Sequence, residues 1–153
     1  SNVEARGNMI VGAMLAGKAF ANSPVAAVHA LAYPIGGTFH ISHGLSNSLV
    51  LPYVLRFNSV DAKAANNYAE LAPYVFPKLD ISKGNQAVSA EFIDKLEDLS
   101  KRLGLPQKLR EVDIPKEACE KMARDAMKQT RLLVNNPREV TETDALNIYQ
   151  SAW

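Results

Sequence analysis

The three histidines of this 153-residue sequence are the side chains best suited to bind a metal ion, and they lie close together at His29, His40 and His43. A neutral imidazole is a good ligand for iron or zinc. His29 lies in an apolar segment that we expect to be buried, and His43 follows Ser42 at an expected helix start. Burial and the partial positive charge of a helix N-terminus both favour the neutral ring. The pattern predicts that His29 and His43 meet across a glycine-containing turn.

The same spacing is compatible with two other interpretations. A histidine on an apolar helix face is often a core residue whose ring nitrogens are hydrogen-bonded. Two histidines also leave a site incomplete, because structural zinc takes four ligands and catalytic zinc takes three together with water. A third ligand such as His40 would make the chain a stand-alone metal-binding module. Residue types and spacing therefore predict a partial metal site, a three-histidine module or a packed histidine pair.

Helices should position these side chains. The segment Ser1-Asn2-Val3-Glu4 has the form of a capping box, and apolar residues recur after it at helical spacing to about Ala21. The glycines of this helix make sense if neighbouring elements pack closely against it. Ser23 followed by Pro24 predicts the start of a second, buried helix, and Pro34 predicts its end.

Beyond that helix, Gly36 and Gly37 predict a flexible turn, and Ser42 predicts the cap of a third helix with a kink at Pro52. Residues 73–84 indicate a loop. Further helices are predicted from Ser59 to about Leu71, from Ser89 or Ala90 to Leu103, from Pro115 to about Lys128, and from Thr141 or Thr143 to Tyr149. No segment shows a convincing strand pattern, so the sequence predicts an all-α, bundle-like domain of about seven helices.

The composition is that of an ordinary globular protein. Hydrophobic residues make up 47% and charged residues 22% of the chain, and 17 basic against 16 acidic residues leave a formal charge of +1. This balance predicts no nucleic-acid partner. No apolar run approaches the roughly 20 residues of a membrane span, so no membrane partner is expected. The single cysteine, Cys119, excludes an internal disulfide and fits a cytoplasmic protein.

The stretch from His29 to Gly44 resembles the signature of the iron-containing (group III) alcohol dehydrogenases. In that family a histidine precedes a small-residue and proline–glycine stretch, and a His-Gly pair then opens a helix. A leucine–proline run follows and ends in an Arg-Tyr/Phe-Asn-like tripeptide, which stands here as Arg56-Phe57-Asn58. A weaker resemblance covers most of the chain, including Gly12 to Ala21 and Asn136-Pro137-Arg138.

The resemblance implies a two-domain parent enzyme. Members have an N-terminal α/β domain that binds NAD or NADP, and a C-terminal helical, dehydroquinate synthase-like domain that carries the metal. One aspartate and three histidines hold the metal, and two of those histidines correspond to His29 and His43. The other two ligands belong to an earlier Asp-x-x-x-His helix, a motif that this chain lacks. We therefore expect residues 1–153 to form the C-terminal metal-binding domain, with the N-terminal nucleotide-binding domain absent.

The implied activity is hydride transfer between a small alcohol and the nicotinamide cofactor, with Fe²⁺ or Zn²⁺ as Lewis acid. Tyr33 stands where many members have a histidine that relays protons near the nicotinamide, so it is a candidate catalytic residue, although tyrosine shuttles protons less well near neutral pH. Gly36, Gly37 and His40 are candidates for lining the cofactor cleft. Asn47 is expected to make a helix-stabilising hydrogen bond. With half of the ligands, the isolated chain is expected to be inactive.

Two other functions stay open on the sequence. One is a related enzyme, such as a polyol dehydrogenase, a maleylacetate reductase or a dehydroquinate synthase-like enzyme. The other is a helical interaction domain without catalysis, in which the histidines are merely packed. The expected partners are a small alcohol or aldehyde and the missing N-terminal domain. A homodimer is also expected, because apolar surface that normally faces a second domain invites self-association.

Overall fold

The computed structural model describes residues 2–153, and within that range the chain is built from helices without any strand. The prediction of an all-α fold is confirmed. Eight α-helices occur where the sequence predicts about seven: α1 Val3–Asn22, α2 Ala27–Phe39, α3 His43–Asn58, α4 Ala62–Val75, α5 Asn85–Arg102, α6 Ala118–Ala126, α7 Thr130–Leu133 and α8 Glu142–Ala152. Two short 3₁₀ helices lie at Ile81–Lys83 and Leu109–Val112.

The main core forms where α2, α3, α6 and α8 pack together. Its largest fully buried side chains include Leu31 and Ile35 of α2, Leu49 of α3 and Tyr149 of α8. The Tyr149 hydroxyl donates a 2.6 Å hydrogen bond to the Leu31 carbonyl, which ties α8 to α2. Helices α4 and α5 pair beside this core and bury a smaller cluster around Phe92. Both helices that carry the histidine pair therefore belong to the main core.

The course of α2 differs from the prediction. The helix begins at Ala27 and continues past Pro34, Gly36 and Gly37 to Phe39. The predicted end at Pro34 and the predicted flexible turn at the two glycines are therefore wrong. Pro34 is buried, so its packing offsets the backbone hydrogen bond that a proline removes from a helix.

The reversal of the chain lies after the glycines, between α2 and α3. His40 ends α2 in the left-handed conformation, with φ of 57°. Ser42 precedes α3 as predicted, but its side chain makes no capping hydrogen bond. Close packing favours glycine at residue 36, because a methyl group there would lie 3.3 Å from the Ile41 carbonyl oxygen. Gly36 thus lies inside α2 and allows the backbone of the following turn to pack closely against the helix.

Some helix starts follow the predicted capping residues and others do not. Ser23 is the C-cap of α1 and does not start α2. The carboxylate of Asp61 accepts a backbone N–H and starts α4, in place of the predicted Ser59. Thr141 starts α8 through a capping box with Asp144, which agrees with the first of the two predicted starts, Thr141 and Thr143. Side-chain oxygens that satisfy the free N–H groups therefore decide these boundaries.

The remaining boundaries also shift. α4 includes Pro73, so the predicted loop over residues 73–84 is shorter and contains a 3₁₀ turn. α5 begins at Asn85, ahead of the predicted start, because Val88 is buried against α4 and extends the packed face toward the N-terminus. α6 begins at Ala118, after a turn that follows Pro115.

The expectation of close packing around α1 is wrong for the described residues. None of the residues of α1 is buried, and Met9 and Ile10 are 73% and 70% exposed. A methyl group at Gly7, Gly12 or Gly17 would meet no neighbouring atom within 4 Å. The apolar character of this helix is therefore not used in packing within residues 2–153.

The chain bends by 112° between α1 and α2. Within residues 2–153 no single helix is long and apolar enough to cross a membrane, and α1 and α2 pass that test only as a bent pair, by length and composition. Asn2 caps α1 by accepting a 3.0 Å hydrogen bond from the Ala5 amide. The predicted part of Ser1 in a capping box lies outside the described residues.

Candidate metal centre

His29 and His43 come together as the sequence predicts. His29 is the third residue of α2, and His43 is the first residue of α3. The packing of these helices brings the two imidazole centroids to 5.1 Å, with a tilt of 51° between the ring planes. Metal–nitrogen bonds of about 2.0–2.1 Å would place two rings on one tetrahedral ion with centroids about 5 Å apart. The spacing of the pair therefore suits a shared ion.

Electrostatics keep His29 in the neutral form that a metal requires. Partial burial is the largest cause that lowers the pKa of His29. The neighbouring His43 lowers the pKa further, because two protonated rings would repel each other. His43 itself is exposed at the start of α3. His29 therefore offers a neutral nitrogen donor at neutral pH.

Tyr33 lies beside the histidine pair. It follows His29 by about one turn of α2, and its ring centroid is 6.5 Å from that of His43. Tyr33 is 44% exposed. The structure thus groups Tyr33 with both histidines, and its catalytic role stays a prediction.

The other predicted site residues lie along the second half of α2. His40 is exposed at the C-cap, and Gly37 has open space around it, whereas Gly36 faces the Ile41 carbonyl. Among residues 2–153, no group of three or more His, Cys, Asp or Glu side chains could hold a metal ion. A module completed by His40 as third ligand is therefore not supported, and the cofactor contacts of these three residues stay predictions.

Asn47 makes a contact that the sequence interpretation missed. Its Nδ2 atom lies 2.9 Å from the His43 carbonyl oxygen, which is the predicted helix-stabilising hydrogen bond, and 3.1 Å from His43 Nε2. Its Oδ1 atom is buried without a hydrogen-bond partner. The four-residue spacing is the signal that could have indicated this contact, because residues i and i+4 of a helix are neighbours.

His29 is one of the residues that line an open cleft of about 340 Å³. Asn58 and Asn136 line one side and are joined by two amide hydrogen bonds, of 3.1 Å and 2.7 Å. The other walls are mostly apolar and comprise Ala26, Ala27, Val28, Leu51, Leu55, Tyr68 and Pro137. A larger cleft, of about 440 Å³, includes Arg138 and Ile148 but neither histidine. The cleft that includes His29 is therefore smaller, but it is the one next to the candidate chemistry.

The donor set fits half of a divalent metal site. Two imidazole nitrogens suit Fe²⁺ and Zn²⁺. They approach from two helices of the main core, which holds their separation. Because no third donor of the usual types joins them among the described residues, His29 and His43 would hold an ion from one side, and further ligands would have to come from outside this set.

Comparison with known proteins identifies the family. The model for the Fe-containing alcohol dehydrogenase family, C-terminal, matches residues 1–153. Long-chain-alcohol dehydrogenase 1 of Geobacillus thermodenitrificans (strain NG80-2) is 37% identical, over 100% of this chain and 38% of its own length. The 1,3-propanediol dehydrogenase of Citrobacter freundii is 32% identical, with the same coverage of 100% and 38%.

Solved structures share the fold. A 1,3-propanediol oxidoreductase crystal structure superposes with a TM-score of 0.92 at 30% identity, covering 100% of this chain and 39% of the other. The alcohol dehydrogenase from Oenococcus oeni gives a TM-score of 0.90 at 31% identity, covering 99% and 39%. The chain thus spans about two fifths of the length of these relatives. It belongs to the Fe-containing alcohol dehydrogenase family and has the fold of that family's C-terminal domain.

Proposed function

We propose that this chain is the metal-binding domain of an NAD(P)-dependent alcohol dehydrogenase that interconverts a small alcohol and its aldehyde or ketone. The observation that carries the proposal is the convergence of His29 and His43 in a chain of this family. The names of two relatives, one a long-chain-alcohol dehydrogenase and one a 1,3-propanediol dehydrogenase, support an alcohol as substrate. The nucleotide would be bound by an N-terminal α/β domain outside residues 1–153.

His29 and His43 would bind the ion through neutral ring nitrogens. When bound, Fe²⁺ or Zn²⁺ supplies Lewis-acid chemistry toward the oxygen of the alcohol or carbonyl substrate. The contribution of this chain is to hold two donors at a fixed spacing and to keep His29 unprotonated. The mostly apolar cleft that includes His29 lies beside this donor.

Tyr33 is proposed to act in catalysis, and Gly36, Gly37 and His40 to line the cofactor cleft. The position of Tyr33 beside His43 supports the first part. Tyr33 would orient a substrate hydroxyl group through a hydrogen bond to its phenol oxygen. The open space at Gly37 supports the approach of a cofactor there.

Cobalt titration of the purified chain tests the two ligands, because Co²⁺ takes the same imidazole ligands as Fe²⁺ and Zn²⁺ and reports them by absorbance. We expect weak binding by the unmodified chain and loss of binding in His29→Ala and His43→Ala. His40→Asn is the matched control, because asparagine tolerates the left-handed backbone at residue 40. Binding should also weaken as the pH falls, because protons compete for the ring nitrogens.

Equal cobalt binding by all four proteins, or none by the unmodified chain, would contradict the ligand assignment. Either result would favour the second candidate, a non-catalytic helical interaction domain whose histidines are only packed. A related polyol dehydrogenase or maleylacetate reductase domain is the other alternative, and the relative named for a diol keeps polyols among the substrates to be tested.

The chain alone is expected to show no NAD- or NADP-dependent alcohol oxidation, even with added Fe²⁺. Residues 1–153 contain neither the Asp-x-x-x-His motif nor the nucleotide-binding domain that the family resemblance implies. Measurable turnover by the purified chain would contradict this expectation. The assay uses several short alcohols and both cofactors, so that substrate choice does not decide the outcome.

Self-association and a cytoplasmic location complete the proposal. The exposed apolar side chains of α1 favour a homodimer, which sedimentation equilibrium over a range of concentrations would detect. A monomer at every concentration would contradict it. The only cysteine, Cys119, is buried and free, which suits a reducing compartment. Localisation of a tagged protein in its native cell would test the compartment.

A further inference from the structure

The orientation of the Asn47 amide is determined by a backbone carbonyl. One end of the amide lies 2.9 Å from the His43 carbonyl oxygen. A carbonyl oxygen only accepts hydrogen bonds, so that end must be the NH₂ group and not the amide oxygen. The reverse orientation would bring two oxygens together. The His43 carbonyl therefore fixes which atom of Asn47 faces the imidazole.

The same NH₂ group also reaches the imidazole ring of His43. Its nitrogen lies 3.1 Å from Nε2, so its second hydrogen is available to that atom. A ring nitrogen that accepts a hydrogen bond carries no proton, and in a neutral imidazole the proton is then on Nδ1. The geometry thus selects one of the two neutral tautomers of His43.

The remaining atom of the Asn47 amide supports a functional reason for this contact. Oδ1 is buried and has no hydrogen-bond partner. Unsatisfied buried acceptors are rare in folded proteins and call for an explanation. Retention of a half-satisfied amide at this position is explained if its NH₂ group serves His43.

We propose that Asn47 is a positioning residue that sets the tautomer of His43 and makes Nε2 the nitrogen that a metal ion binds. The first part concerns the metal-free chain, and the second rests on the proposed function. A metal ion would replace the Asn47 N–H at Nε2, so the amide would turn away from the ring when the ion binds. The Nδ1 proton stays on the ring. Partners of this kind orient metal-binding histidines and fix their tautomer.

Nitrogen NMR of the chain with labelled histidine tests the first part without metal, at a pH at which the imidazoles are neutral. We expect His43 to carry its proton mainly on Nδ1. In Asn47→Leu the ratio of tautomers should invert, toward the Nε2-protonated form that predominates in free histidine. Asn66→Leu is the matched control, because Asn66 is an exposed helical asparagine in α4. It should leave His43 unchanged.

Asn47→Asp keeps the shape of the side chain and removes its donor, so it tests the proposal even if Asn47→Leu does not fold. A carboxylate only accepts, and it should draw the proton to Nε2. Thermal melting by circular dichroism establishes that each variant is folded. An Nε2-protonated His43 in the unmodified chain would overturn the proposal, as would an unchanged tautomer in either folded variant.

Addition of Zn²⁺ to the labelled chain tests the second part. Zinc should perturb the Nε2 signal of His43 and leave the Nδ1 proton in place. Coordination through Nδ1 would overturn this part. Failure of zinc to bind, together with an Nδ1-protonated His43, would contradict the proposed function and the metal part while supporting the tautomer part. The two failures are therefore distinguishable.

Discussion

The first two helices are neighbours in the chain and opposite in environment. Six residues of α2 are buried, whereas none of α1 is. In α2 the apolar side chains meet α3, α6 and α8, but in α1 residues such as Val11 and Phe20 remain more than half exposed. A helix that is apolar on all sides is typical of a segment covered on all sides. Apolar content therefore shows that a helix is suited to burial, but not which surface covers it.

The two helices must also differ in the source of their stability. α2 gains from the burial of apolar area, at roughly 25 cal/mol per Å². Within the described residues α1 depends on helix propensity and on the Asn2 cap, and Gly7, Gly12 and Gly17 each cost about 1 kcal/mol relative to alanine. In proteins most helical stability comes from tertiary packing, which α1 lacks within residues 2–153. Paired substitutions in the two helices measure this difference directly.

The largest contrast should come from the same substitution in each helix. Ile35 is fully buried and Ile10 is 70% exposed. We expect Ile35→Ala to lower the free energy of unfolding by about 2–5 kcal/mol, because it leaves a cavity in the main core. Ile10→Ala should change it by about 0.5 kcal/mol or less. Urea denaturation followed by circular dichroism measures both, and comparable losses would show that α1 is packed in solution.

A smaller effect should follow from removing the hydrogen bond that anchors α2. Tyr149→Phe deletes the hydroxyl that donates to the Leu31 carbonyl, which should cost about 1–3 kcal/mol at neutral pH. Burial, the largest cause, raises the pKa of Tyr149 far above its ordinary value near 10. The unfolded tyrosine therefore ionises first, so the unmodified chain loses stability as the pH rises above about 10.

Tyr149→Phe cannot ionise at this position. The difference in the free energy of unfolding between this variant and the unmodified chain should therefore become smaller in alkaline solution. Tyr74→Phe is the control, because Tyr74 is 85% exposed. Denaturation midpoints at neutral and alkaline pH give the comparison. A gap between Tyr149→Phe and the unmodified chain that stays constant across this range would contradict the assignment of the alkaline effect to Tyr149.

The difference between α1 and α2 also explains how much of the fold could be predicted from the sequence. Apolar spacing and the absence of a strand pattern sufficed for the all-α class, and the meeting of His29 with His43 followed from their place around one short reversal. The course of α2 through Pro34 did not follow, because local rules treat proline as a helix end. Burial of Pro34 overrides that rule, and which surface buries it is a long-range property.

The candidate site could likewise be predicted only in part. Residue type indicated which side chains could bind a metal, and the family resemblance indicated their roles. The second contact of Asn47 depends on the rotamers of two side chains, which spacing does not determine. Gly36 was assigned to a turn because glycine is common there, but the constraint comes from the Ile41 carbonyl, which packing brings to 3.3 Å from the place of a methyl group.

Glycine substitutions should give the smallest effects, with opposite signs in the two helices. Gly12→Ala adds a methyl group in open space, so it should raise the helicity of α1 with a gain of about 1 kcal/mol. Gly36→Ala gains the same propensity, but its methyl group crowds the Ile41 carbonyl. We expect a net loss of about 1 kcal/mol in the free energy of unfolding.

Far-UV circular dichroism and urea denaturation measure both changes, and Gly37→Ala is the control within α2, since it has the same helical neighbours and open space. Ser46 Oγ also donates to the Ile41 carbonyl, so a displaced Ile41 would disturb the start of α3. Gly36→Ala should therefore shift the NMR signals of His43, whereas Gly37→Ala should not. Equal stabilisation by Gly36→Ala and Gly37→Ala would show that the Ile41 carbonyl moves away from the added methyl group at little cost. The spacing of His29 and His43 would then be less rigid than the packing of α2 against α3 indicates.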